Sequence, residues 1–122
     1  MESYLQRELE DALKFISSTI KKCKKVQFKF AVGTSQHSLL KNRINALNIS
    51  KHLIENDSNI ERYSQLDLDK ALPPVLSIIH KSEKAQMKYA EGTVQYRRYA
   101  PIISAMIISK AYIENAISER KQ

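Results

Sequence analysis

Residues 6–56 align over residues 65–115 without a gap, and this tandem duplication constrains the fold more than any other feature of the 122-residue chain. Gln6, Leu9, Ala12, Leu13, Ser18, Ile20 and Lys22 recur as Gln65, Leu68, Ala71, Leu72, Ser77, Ile79 and Lys81. The segment KVQFKFAVGTSQ at 25–36 returns as KAQMKYAEGTVQ at 84–95, and the tails ISKHLIEN and ISKAYIEN agree as well. A repeated unit of this size is one supersecondary element that cannot bury its apolar face alone, so the copies are expected to complete each other.

Each copy has the pattern of a helical hairpin. Leu9, Leu13, Ile16, Ile20, Cys23, Gln27 and Phe30 alternate in steps of four and three, and the second copy repeats the stripe as Leu68, Leu72, Val75, Ile79, Ser82, Gln86 and Tyr89. VQFKF alone alternates like a strand, but its counterpart AQMKY lacks the β-branched residues a strand favours. Gly33 and Gly92 stand where a helix takes a left-handed residue after its last turn, and Thr34 and Thr93 follow as N-caps of the next helix. The second helix of each copy carries Leu40, Ile44, Leu47 and Ile54, matched by Tyr99, Ile103, Met106 and Ile113.

The expected fold is therefore all-α: an up-down-up-down four-helix bundle with pseudo-twofold symmetry, built from tandem hairpins at 1–58 and 62–120 within a single domain, 1–122. The link NDSNIERYSQ is short and polar. Two departures from symmetry are expected to matter. Pro73 and Pro74 replace Lys14 and Phe15, so the third helix should start or bend there, and Pro101 replaces Asn42, so the fourth should kink or start late.

In such a bundle both GT turns lie at one end. That end gathers cations: Lys22, Lys25 and Lys29 form a ridge repeated as Lys81, Lys84 and Lys88, with Arg43, Arg97 and Arg98 expected to join from the partner helices. No Asp or Glu occurs from Ala12 to Ile54, whereas Glu8, Glu10, Asp11, Asp67, Asp69, Glu55, Asp57, Glu114 and Glu119 fall towards the other end. The formal net charge is +7. Two lysine ridges beside two helix N-termini could receive an anion; the same lysines also complement helix dipoles and solubilise the surface. Gln27 and Gln86 occupy stripe positions, where a buried amide must find partners. They are expected either to pair across the symmetry axis or to line a small polar pocket beneath the turns.

Little points to catalysis. The single cysteine, Cys23, permits neither an internal disulfide nor a zinc motif and reads as a small buried hydrophobe. None of His37, His52 and His80 follows a carboxylate in a Glu-x-x-His motif, so no metal is expected, and with only two glycines there is no phosphate loop. His37, beside the basic turn, is the one candidate for proton transfer, and Tyr96 replaces it in the second copy. The longest apolar run, Ala100 to Ile108, is too short to cross a bilayer, and MESYLQRELEDAL is not a basic leader, so a cytosolic chain without membrane insertion is expected.

The phrases GTSQHSLLKNRINAL and SEKAQMKYAEGTVQ resemble small duplicated helical-hairpin proteins of Gram-positive bacteria, a group that brings no activity or ligand with it. Bacteriocin immunity proteins are similar in size, charge and architecture, but share no motif. The combined expectation is a non-enzymatic interaction module, without cofactor, whose basic GT end docks an acidic partner protein. The alternative is a nucleic-acid-binding protein that contacts phosphates through its lysine ridges. Ile102, Ile107 and Ile108 on the fourth helix offer a seam for a homodimer.

Overall fold

Helix α1 (Gln6–Gln27) begins with Glu8 accepting a hydrogen bond from the backbone N–H of Leu5 at 2.9 Å, which occupies one of the donors a helix start leaves free. In this computed structural model residues 3–121 are described; Met1, Glu2 and Gln122, the ends of the expected domain, lie outside the described residues, as do the side chains of Ser58 and Asn59. Helix α2 (Ser35–Glu55) follows, then a short 3₁₀ turn (Ser58–Arg62) and helix α3 (Gln65–Gln86). The fourth rod is in two pieces, α4 (Val94–Arg97) and α5 (Ala100–Arg120). Helices α1 and α2, α2 and α3, α3 and α5, and α5 and α1 are neighbours, which closes a four-helix bundle. Across the middle α2 touches α5, while α1 and α3 stay apart.

Buried small residues explain the short diagonal. Ala46 and Ser50 on α2, and their counterparts Ala105 and Ser109 on α5, let two backbones approach. Each serine returns its hydroxyl to the carbonyl four residues back, at 2.9 Å, so neither is left unsatisfied. Around them Ile16, Leu47, Leu68, Val75, Met106 and Ile113 are fully enclosed, and one cluster joins all four rods. Burying each such side chain contributes about 1.5–3 kcal/mol. The buried face of α1 runs through Ala12, Ile16, Ile20 and Cys23 and that of α3 through Leu68, Ala71, Val75, Ile79 and Ser82, with Leu13 and Leu72 half-buried at the flank.

The duplication ends differently in the two copies. At the close of α2, Asn56 adopts φ 54°; its N–H reaches the Leu53 carbonyl at 3.2 Å, and the Asp57 N–H reaches that of His52 at 3.0 Å. This pairing terminates a helix through a left-handed residue. Its counterpart Asn115 stays helical, because α5 runs on through the helix formers Ala116, Glu119 and Arg120.

Both proline expectations meet the structure in different ways. Helix α3 starts well before Pro73, at Gln65, because Ser64 and Asp67 cap it reciprocally: the Ser64 N–H donates to Asp67 at 2.9 Å, and the Asp67 N–H donates to the Ser64 hydroxyl at 3.0 Å. The two prolines therefore lie inside the helix, where they supply no N–H to the carbonyls of Asp69 and Lys70. Pro101 interrupts the fourth rod and does not delay its start: α4 begins at Val94, where α2 begins at Ser35, but stops at Arg97, and α5 restarts at Ala100 with the proline in its first turn, where its missing N–H is tolerated.

Candidate functional site

The two GT turns are built alike. In the first, Phe30 N–H donates to the Gln27 carbonyl at 3.1 Å and Thr34 N–H to that of Ala31 at 3.2 Å; in the second, Tyr89 donates to Gln86 at 3.1 Å and Thr93 to Ala90 at 3.2 Å. Gly33 and Gly92 sit at the third position of these turns with φ 95° and 89°, a conformation side chains resist. Thr34 and Thr93 cap the following helices as expected, each accepting from the N–H three residues on, His37 or Tyr96, at 3.2 Å. That bond uses one of the backbone donors an incoming anion would need.

The expectation that the apolar stripe continues to Phe30 and Tyr89 is corrected. Helix α1 ends at Gln27 and α3 at Gln86, so the glycines belong to separate turns and do not directly follow a helix. Beyond those ends side chains no longer face the core: Phe28 is 91% exposed, Val32 86% and Met87 82%. Phe30 and Tyr89 are also exposed, with Tyr89 stacked at 6.4 Å on Tyr99.

Lys22, Lys25, Lys29, Lys81, Lys84, Lys88, Arg97 and Arg98 are all exposed. Arg43 is not among them. It is half-buried with its Nε enclosed and without an acceptor, and its guanidinium lies beside Cys23. Burial pushes the Cys23 thiol above its ordinary pKa, and the nearby guanidinium pulls it down by less. Gln27 and Gln86 do not pair with each other. Gln86 is half-buried and donates through Nε2 to the Tyr96 carbonyl at 3.1 Å, bridging α3 to α4, whereas the side chain of Gln27 makes no hydrogen bond among the described residues. Of the proposed homodimer seam, Ile107 is exposed, Ile102 half-buried and Ile108 buried.

A second region was not anticipated. Between α2 and α3 runs a groove of about 1040 Å³. One wall presents Asn42, Asn45, Asn48 and His52 from successive turns of α2; Pro73 and Pro74 stand on the other. The three asparagine amides hydrogen-bond to nothing else among the described residues. At the far end of the groove His52 Nδ1 lies 2.5 Å from the Tyr63 hydroxyl, with the rings stacked at 5.8 Å. Burial, then the carboxylates of Asp57 and Asp67, hold the Tyr63 phenol above its ordinary pKa. The backbone and hydroxyl bonds from Ser64 keep the Asp67 carboxyl below its own. Arg120 fastens this corner, donating through Nη1 to the Tyr63 carbonyl and through Nη2 to that of Ile60 at 3.1 Å.

No family model, curated protein or solved structure matches the chain. Its own geometry must therefore carry any functional reading. No described helix is long and apolar enough to cross a membrane, and no described cluster of three His, Cys, Asp or Glu side chains is placed to hold a metal ion.

Proposed function

We propose that the chain is a non-enzymatic interaction module whose GT end docks an acidic protein partner. One observation carries the reading: Phe28, Val32 and Met87 project into solvent from among the exposed Lys25, Lys29, Lys84 and Lys88. Apolar side chains this exposed contribute nothing to the fold, and an apolar centre with a charged rim is how protein interfaces combine affinity with orientation. The lysines steer and align an acidic surface; the apolar knobs hold it.

A second reading, nucleic-acid binding through the exposed lysine ridges, has one further observation in its favour, Phe28. Its ring stands free between Lys25 and Lys29 and could stack on a base. The pseudo-symmetric position is Met87, which offers no ring, and Val32 is matched by Glu91, which repels phosphate. The protein-docking reading therefore comes first.

Affinity capture on the full chain, with and without nuclease, separates the two. A protein retained after nuclease and lost from Phe28→Ser with Met87→Ser supports docking. Nucleic acid whose binding falls steeply and linearly on a double-logarithmic salt plot, with every captured protein lost after nuclease, overturns it.

A further inference from the structure

The opposite end of the molecule complements the GT end in the same two respects, charge and exposed apolar side chains. Residues 14–50 and 73–109 hold 13 of the 20 lysines and arginines but only two of the 13 acidic residues, Glu83 and Glu91. Glu10, Asp11, Asp69 and Glu114 stand exposed towards the other end. There too apolar side chains meet water, Leu5 at 72% and Leu66 at 59% exposure, at the starts of α1 and α3.

Length keeps these ends electrically separate. A helix of 22 residues such as α1 spans about 33 Å, more than three times the screening length of about 8–10 Å at ordinary ionic strength. A second copy approaching one end therefore feels that end and not the net charge of +7. Two GT ends repel; a GT end and an acidic end attract.

From this we infer that the chain associates with itself head to tail, the GT end of one copy seated on the acidic end of the next. The inference rests on reading the GT end as a docking surface and names its occupant, a second copy of this chain. Phe28 and Met87 are related by the pseudo-twofold axis, which runs along the bundle because α1 and α3 point the same way. Stacking along that axis never closes on itself, so the product is an open rod whose length grows with concentration. Four helices about 10 Å apart present an end of roughly 500 Å², so each contact buries about 1000 Å² in total, the low end for specific interfaces. The association is accordingly weak, reversible and salt-sensitive.

Sedimentation velocity on the intact chain tests this. In low salt the weight-average mass should rise at least about twofold between about 10 µM and 1 mM protein, and return to the monomer value at about 0.5 M salt. One variant carries K25E, K29E, K84E and K88E, the other E10K, D11K, D69K and E114K. All these side chains are exposed and none makes a helix cap, and circular dichroism verifies that both variants fold. Each variant alone should be monomeric, and an equimolar mixture should associate, because both ends of one variant are then acidic and both ends of the other basic. A wild-type chain that stays monomeric at about 1 mM in low salt overturns the inference, as does self-association that persists in either variant alone or a mixture that stays monomeric. A monomeric chain whose GT end still captures a different acidic protein leaves the docking reading standing and removes only the self-association. A chain that does neither removes both.

Discussion

The turns Ala31–Thr34 and Ala90–Thr93 share the same backbone bonds, whereas the groove between α2 and α3 has little in common with its pseudo-symmetric counterpart between α5 and α1. Asn42, Asn45, Asn48 and His52 correspond to Pro101, Ser104, Ile107 and Ala111, and Pro74 to Phe15, which packs against the core. The contrast separates what the fold demands from what it tolerates. Each copy needs a left-handed glycine and a capping threonine to reverse the chain, while half the molecule folds without asparagines on that wall. Three asparagines within seven residues of a helix are poor helix formers, so this wall costs stability that the rest of the bundle supplies.

The largest effects should fall where the copies agree. Leu47→Ala and Met106→Ala, at equivalent and fully buried positions, should each cost about 2–5 kcal/mol in urea unfolding and lie within about 1 kcal/mol of each other. A much larger gap would mean that the two halves are not packed symmetrically. Next come the prolines, where the copies differ. Pro73 is exposed inside α3, so Pro73→Lys restores a backbone bond to Asp69 without a clash and should raise stability by about 1–3 kcal/mol. Pro101→Asn, in the first turn of α5, should change it by less than about 0.5 kcal/mol. Equal effects at the two sites would show that location in the helix is not what sets the cost.

Most of the architecture could be read from the chain, because the duplication halves the problem and a four-three stripe repeated in register fixes which faces meet. Local endings could not be read. The stripe stays in phase through Phe30, but three-residue backbone bonds at Phe30 and Tyr89 finish each helix early, and periodicity carries no trace of that tightening. The outcome places Phe28 and Met87 in water, and these are the residues on which the docking reading rests. Arg120 reaches carbonyls 57 and 60 residues away, and His52 meets Tyr63 across a helix end. Neither pairing follows a local spacing. The lysine ridges were legible because exposed cations at helical intervals need no partner to place them. Arg43 was not, since its burial depends on α2 packing its flank against Cys23.

The turns themselves allow a finer comparison. A Cβ added at Gly33 or Gly92 would meet nothing within 4 Å, so Gly33→Ala and Gly92→Ala should lose stability for conformational reasons alone, by about 1–2 kcal/mol and almost equally. Asparagine at either position should cost less, as Asn56 already adopts a left-handed conformation in this chain. Unequal losses would expose a constraint in one turn that the shared bonding pattern conceals.

The smallest effect separates the two glutamines. Gln86→Ala should cost about 1 kcal/mol through loss of its bond to the Tyr96 carbonyl, and Gln27→Ala close to none. The reason lies at Pro101. In α2 the helix is continuous, and the His37 carbonyl that corresponds to Tyr96 is engaged by the helix ladder. In the second copy the rod breaks after Arg97, and the Tyr96 carbonyl is met by a 3.3 Å contact from Tyr99 and by Gln86. Gln86 therefore stitches an interruption that the first copy does not have. Introducing Pro101→Asn should let α4 and α5 join and shrink the cost of Gln86→Ala, a coupling a double-mutant cycle reads directly. If Gln86→Ala costs the same in both backgrounds, the amide serves the α3 ending rather than the break, and the asymmetry between the glutamines must originate elsewhere in the second hairpin.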